Sequence, residues 1–305
     1  MRLTAERYIS LLTNFGFNRI FGNVSNKMLL IDFLNSLFDG EQVIKDVTFP
    51  DSEHEGDGHN KCKTLFDVYC ENEHGEKFIV EMQNAHQTYF KDRSLFYATF
   101  PIREQAEKGS EWNYQLKHVY VVALLNYDMK EPSFANDTIN HDIGLLDKQT
   151  HRVFNDKLTF KYVEITKFNK SLEELGTNFD RWLYVLQNLP RLDCQPKYLQ
   201  TEIFNRLFSE AEIARFTKSE LRDYECSLSA YRDLKNSLDT AKAKGHEEGR
   251  AEGLEEGRAK GLEEGRAEGE LKRSIDIARK MKAHGMPTEE IILMTDLTAD
   301  EIDNL

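Results

Sequence analysis

An α/β fold with a helical C-terminal extension is what this sequence predicts, and three stretches predict it. Residues 61–83 alternate apolar and polar side chains on either side of a short polar break, the pattern of a β-hairpin. Leu116 to Leu125 is a near-continuous apolar run, as expected of a strand buried on both faces. From Ser171 onward the apolar spacing turns helical.

Taken in order, residues 1–22 read as a mixed lead-in. Asn26 to Phe38 carries Met28, Leu29, Leu30, Ile31, Phe33, Leu34 and Leu37, too broadly apolar for an edge strand. A packed helix is expected from near Ser25 to Asp39-Gly40, with Gly40 as its terminator. Val43 to Pro50 reads as a short strand, and Asp51 to Asn60 as a polar loop. That loop and the hairpin together hold His54, His59, Cys62, Cys70 and His74, which raises zinc as an option. Their spacings form no compact ligand pair, and Cys70 belongs to the apolar side of the hairpin.

In the hairpin, Gly75 suits the last position of a three-residue loop, Glu73-His74-Gly75, where a positive φ is wanted. That loop places Phe66 opposite Met82, Val68 opposite Val80 and Cys70 opposite Phe78, giving one apolar face. Asp67 then falls opposite Glu81 on the other face, with Gln83 beside it. Directly opposed residues have Cβ atoms roughly 4.5–5.5 Å apart, and like charges there repel. A divalent cation between two such carboxylates removes the repulsion, and hard oxygen donors suit Mg²⁺ or Mn²⁺. The spacing alone equally fits a solvated strand face carrying scattered charge.

Thr88 to Lys108 is helical by pattern, with Leu95, Phe96, Ala98, Thr99 and Ile102 as its apolar positions and Pro101 expected to kink or divide it. Arg93 and Tyr97, four apart, share a helical face. Residues 126–158 read as polar and irregular, and Thr159 to Phe168 as another strand. Helices are expected over Ser171 to Leu189, ended by Pro190, over Pro196 to Phe208 and over Lys218 to Ala243.

The tail holds three near-identical octads between His246 and Glu270, with Gly at every fourth place from Gly245 to Gly269. Each helical Gly costs about 0.8–1 kcal/mol against Ala, so an isolated helix is disfavoured. The repeat is either a flexible charged linker or a helix whose glycine stripe pairs closely with another helix, and its Glu, Arg, Ala and Leu content favours the second. Homo-oligomerisation through the repeat is the corresponding expectation. Leu271 to Leu305 reads as a small helical module, with Gly285 as a stop and Thr298 with Glu301 as a capping box. No Lys or Arg follows Lys282, so this module suits protein contact better than a DNA groove.

Asp67, the hairpin and Glu81-Met82-Gln83 resemble the catalytic core of the PD-(D/E)XK nuclease superfamily, with Gln in place of the usual Lys. The surrounding residues are similar to its transposase-like, recombination-promoting nuclease branch. Phe21-Gly22, Asn26-Lys27 and Phe33-Leu34-Asn35 match its opening, Phe66-Asp67-Val68, Arg93 and Tyr97 its centre, and Val119 to Asn126 its next strand. The resemblance implies a restriction-endonuclease-like core over 1–170, a mixed central sheet flanked by helices. A helical extension over 171–243, the repeat at 244–270 and the module at 271–305 follow. It further implies a metal-dependent DNA endonuclease associated with recombination or mobile elements. Asp67, Glu81 and Gln83 are then catalytic; Asp67, Glu81 and the Met82 carbonyl hold Mg²⁺ or Mn²⁺; Arg93 contacts a phosphate and Tyr97 orients it. The branch usually has a Glu just after Phe-Gly, where this chain has Asn23-Val24-Ser25, and Asp32 is a candidate acidic substitute. Because Gln83 cannot ionise, modest activity with strong metal dependence is expected. The competing expectation is a catalytically silent nuclease-fold scaffold acting through its tail.

The formal charge of −13 argues against a broad phosphate-binding surface, so DNA must be engaged locally. Four cysteines without a CxxC pair suggest a reducing cytosol. The absence of a signal-like N-terminus and of any long apolar run predicts a cytoplasmic protein with no membrane span.

Overall fold

The computed structural model describes residues 6–50, 66–106 and 112–305. The chain opens with helix α1 (Asn14–Phe21), within the stretch read from the sequence as a lead-in. Thr13 caps it by accepting the Gly16 N–H, and a Cβ at Gly16 would lie 2.1 Å from the Ser10 carbonyl oxygen, so only glycine allows the turn. Helix α2 (Lys27–Phe38) follows a short 3₁₀ turn and ends in left-handed Asp39 and Gly40, close to the expected bounds.

Six strands form one mixed sheet: β1 (Val47–Thr48), β2 (Val68–Asn72), β3 (Lys77–Gln83), β4 (Val119–Leu125), β5 (Asn140–Leu146) and β6 (Val153–Glu164). Their order is β1-β2-β3-β4-β6-β5. β3, β4 and β6 run parallel, and β2 and β5 lie antiparallel beside them. The hairpin has the expected register, with Val68 opposite Val80 and Cys70 opposite Phe78, and Gly75 turns it at φ 78°. β1 is only two residues of the strand expected over Val43 to Pro50. β5 and the start of β6 fall in the segment read as irregular; β5 is an edge strand with a register shift at Gly144/Leu145, which breaks the alternation a strand normally displays.

Both sides of the sheet are covered. On one side, α1, α2, α4 (Asn178–Asn188), α5 (Glu202–Ala211) and the first turns of α6 (Lys218–Ala283) pack against Val68, Cys70, Phe78, Val80, Tyr120, Val122 and Leu124. Trp182, fully buried there, donates from Nε1 to Asp32 Oδ1 at 2.7 Å. Asp32 also accepts from Asn178 Nδ2 at 2.8 Å, so it serves this helix pair rather than supplying a third acid to the hairpin site. On the other side, α3 (Phe90–Glu104) lies over Ile79, Val121, Ala123, Phe160 and Tyr162. Pro101 does not divide α3, because it sits in the last turn, where little helix remains to be broken.

Phe66 departs from the expected face. It packs with Tyr69, Tyr97 and Phe100 on the α3 side, not with Val68 and Cys70. The alternation fails because the ladder ends at Val68 and the chain turns at Asp67.

The chain forms two compact units, Met1–Lys235 and Asn236–Leu305, and the boundary falls within α6. The octad repeat is helical throughout, and beyond the helix's own neighbouring backbone no described atom lies within 4 Å of where a Cβ would stand at its glycines, Gly245 to Gly269. The helix persists despite its glycines because strong helix formers fill the remaining positions. In the second unit Ala278 of α6 packs with Ile291 of α7 (Thr288–Thr295) and Ile302 of α8 (Ala299–Asp303). Thr298 and Glu301 form the expected capping box and Gly285 turns the chain at φ 78°. Among the described residues no helix is long and apolar enough to cross a membrane.

Candidate active site

The open end of the hairpin supplies the site. The β2–β3 ladder stops at the Val68–Val80 pair, so among the described residues Met82 has no strand partner on its β2 side. Asp67, one residue beyond the ladder, fills part of that gap: its Oδ2 accepts the Met82 N–H at 2.9 Å. A strand residue points its N–H and C=O to the same edge. The Met82 carbonyl therefore faces the edge where Asp67 stands.

Glu81 and Gln83 alternate with Met82 and lie on the α3 side of β3, both buried. Gln83 Nε2 donates to Glu81 Oε2 at 2.9 Å, and its Oε1 accepts from Arg93 Nη2 at 2.5 Å. Gln83 is thereby a bridge between a carboxylate and a guanidinium. Arg93 comes within 3.9 Å of Glu81 Oε2, donates to Gln87 Oε1 at 2.6 Å, and lies over the rings of Phe90 and Tyr97. Its Nε is buried without a partner among the described residues. Helical spacing accounts for this cradle, since Phe90, Arg93 and Tyr97 follow one another at three and four residues.

All six residues singled out in the sequence thus meet in one place: Asp67, Glu81, Met82, Gln83, Arg93 and Tyr97. The sequence did not single out Gln87 and Phe90, which hold Arg93. Phe90 was recoverable from its spacing; Gln87 lies in the turn before α3 and no local pattern marks it. Asn126, within the matched strand motif, donates its backbone N–H to the Gln83 carbonyl at 2.8 Å and its side-chain amide to Asn84 Oδ1 at 3.2 Å.

Electrostatically the pair lacks positive charge. Burial pushes the Glu81 carboxyl up to about 8, and the neighbouring Asp67 adds to the rise; Arg93 and the Gln83 amide offset only part of it. Asp67 is raised too, by burial, against the opposing pull of the Met82 N–H and Arg93. Burial and then Glu81 raise the Tyr97 hydroxyl, keeping it neutral. Two carboxylates that a cation would relieve, beside a carbonyl on an open edge, are a hard-oxygen donor set that fits a divalent ion. Among the described residues no group of three or more His, Cys, Asp or Glu is placed to hold a metal. Of the residues considered for zinc, Cys70 is buried in the core, while His54, His59 and Cys62 lie outside the described residues.

A mixed sheet with helices on both faces, carrying an Asp, a Glu and a Gln at the end of its central hairpin, defines a nuclease-type α/β protein. The family model described as PD-(D/E)XK nuclease family transposase matches residues 11–241, and the chain belongs to that family. No curated protein and no solved structure matches it.

Proposed function

We propose that this protein is a metal-dependent endonuclease that hydrolyses DNA phosphodiester bonds, in keeping with a family of nuclease type linked to transposition. The observation that carries the proposal is geometric: among the described residues, buried Glu81 has only the Gln83 amide at 2.9 Å and the Arg93 guanidinium at 3.9 Å, and half-buried Asp67 accepts only the Met82 N–H at 2.9 Å, so the two carboxylates lack a full counter-charge. Both side chains, with the Met82 carbonyl, would hold Mg²⁺ or Mn²⁺. When bound, such an ion supplies Lewis-acid stabilisation of phosphoryl oxygens and lowers the pKa of bound water. Gln83, which cannot take a proton, orients a water or phosphate oxygen through its amide while keeping Glu81 in place. Arg93 offers a guanidinium to the phosphate, and the ring of Tyr97 sets its direction. A cytoplasmic setting suits Cys70, Cys194 and Cys226, which are free thiols among the described residues, and assembly through the octad helix of α6 is part of the same proposal.

A second reading, a catalytically silent scaffold, draws on one feature: Arg93 already stands near Glu81, as a resident cation could. Nicking of supercoiled plasmid decides between them. The wild type should nick with Mg²⁺ or Mn²⁺ and not with EDTA, and Asp67→Ala and Glu81→Ala should abolish it. A folded wild type that is silent with every divalent ion, or no faster than the variants, would overturn the nuclease reading.

A further inference from the structure

The outer side of α3 carries two exposed rings, Tyr89 and Phe96, that the hydrolytic site does not use. Tyr89, Arg93 and Phe96 follow one another at helical spacings of four and three residues, and the Tyr89 carbonyl accepts the Arg93 N–H at 2.9 Å. Their side chains therefore share one face, with the two aromatic residues roughly 10 Å apart along the helix axis. Both rings stand in solvent, Tyr89 at 74% and Phe96 at 58% exposure. Phe96 continues inward to Phe100 at 5.2 Å and to Tyr97 at 6.4 Å between ring centroids. Tyr97 in turn lies under the Arg93 guanidinium. The stripe is thus continuous with Glu81 and Gln83 through a single residue, Arg93.

We infer that this stripe is a stacking platform for unpaired nucleotides, so that the strand entering the site is single-stranded rather than duplex. Two observations and one general requirement converge. A guanidinium flanked on one helix face by exposed rings is the chemistry that holds a phosphate between stacked bases. Stacking needs bases whose faces are free, which a closed duplex does not offer. The net charge of −13 denies the protein the broad cationic surface that would hold duplex DNA by counterion release, so a contact that does not depend on charge must carry the affinity. The inference deepens the nuclease proposal by naming its substrate class, and it is tested by binding, which does not require cleavage.

The experiment is fluorescence anisotropy of the full chain in EDTA with labelled mixed-sequence DNA single strand, the same sequence as duplex, and the same sequence as RNA single strand. The single strand should bind at least about tenfold more tightly than the duplex. Tyr89→Leu and Phe96→Leu, which keep an apolar side chain but remove the ring, should each weaken single-strand binding by about tenfold. Phe96→Trp should retain it. The RNA arm assigns the source of the strand, because stacking is indifferent to the sugar; tight binding of either single strand supports the stripe. Equal affinity for duplex and single strand overturns the inference, as does a Phe96→Leu protein that binds like wild type. Binding of no nucleic acid also overturns it and leaves the stripe to a protein contact. A protein that nicks plasmid but shows no single-strand preference loses this inference alone. One that prefers single strands but cuts nothing loses the nuclease reading alone.

Discussion

Two buried glutamates at the C-terminal ends of parallel strands have opposite fates. Glu164, at the end of β6, is fully buried and saturated. Its Oε1 accepts the Met129 N–H at 2.7 Å, and its Oε2 meets His141 Nε2 at 2.8 Å and Lys167 Nζ at 2.5 Å. Glu81, at the end of β3 with β4 between, has one amide donor, a guanidinium at 3.9 Å and a second carboxylate that opposes its ionisation. A carboxylate that only holds the fold together is given all its partners by the chain. One left short has room for a partner the chain does not supply, and that difference is why Glu81 is the residue proposed to hold a metal.

The largest expected effect breaks the saturated side. Glu164→Ala strands His141, Lys167 and the Met129 N–H in a buried setting, where removing one partner of a buried pair costs about 3–5 kcal/mol. Urea denaturation should show a loss of that order, with no requirement that metal be present. Glu81→Gln should behave in the opposite way. It replaces a carboxyl whose ionised form burial disfavours with a neutral amide of the same shape, so the metal-free protein keeps or gains stability, while nicking falls by about a hundredfold or more.

Gln83→Ala is expected to be milder, slowing nicking by roughly tenfold, because Glu81 and Arg93 each lose one hydrogen bond while both remain in place. Single-turnover rates at saturating Mn²⁺ would show it. The smallest effect is on pH dependence. The folded-state pKa of Glu81, about 8, lies above its ordinary value, so the proton is bound more tightly in the folded protein. In EDTA the wild type should therefore lose stability relative to Glu81→Gln as pH rises from the ordinary carboxylate range toward 8, and gain nothing below that range. Equal stability differences at pH 5 and pH 8 would show that Glu81 is not short of partners.

What the sequence displayed and what it hid divide along physical lines. The hairpin was legible because its alternation and Gly75 fix a register locally, and the run at Val119–Leu125 because burial on both faces leaves little choice of residue. The site residues were legible through the same register plus helical spacing on α3. Helix α1 was hidden by Gly16, which weakens its helical signal yet is required by the Ser10 carbonyl. β5 was hidden because its one buried side chain, His141, is polar and is held by stacking on Phe134 and by Glu164, a partner 23 residues away. The end of the ladder at Asp67 was invisible too. Nothing in the alternation says where pairing stops, and that end exposes the Met82 edge.

The most direct test of the contrast is thermal unfolding with and without Mn²⁺ for three proteins: wild type, Glu81→Gln and Glu164→Gln. If Glu81 and Asp67 are the reserved pair, Mn²⁺ raises the Tm of wild type, because a ligand that binds only the folded state stabilises it. The rise should vanish in Glu81→Gln and persist in Glu164→Gln from a lower starting Tm. A Mn²⁺-induced rise that survives in Glu81→Gln, or is lost only in Glu164→Gln, would contradict the account.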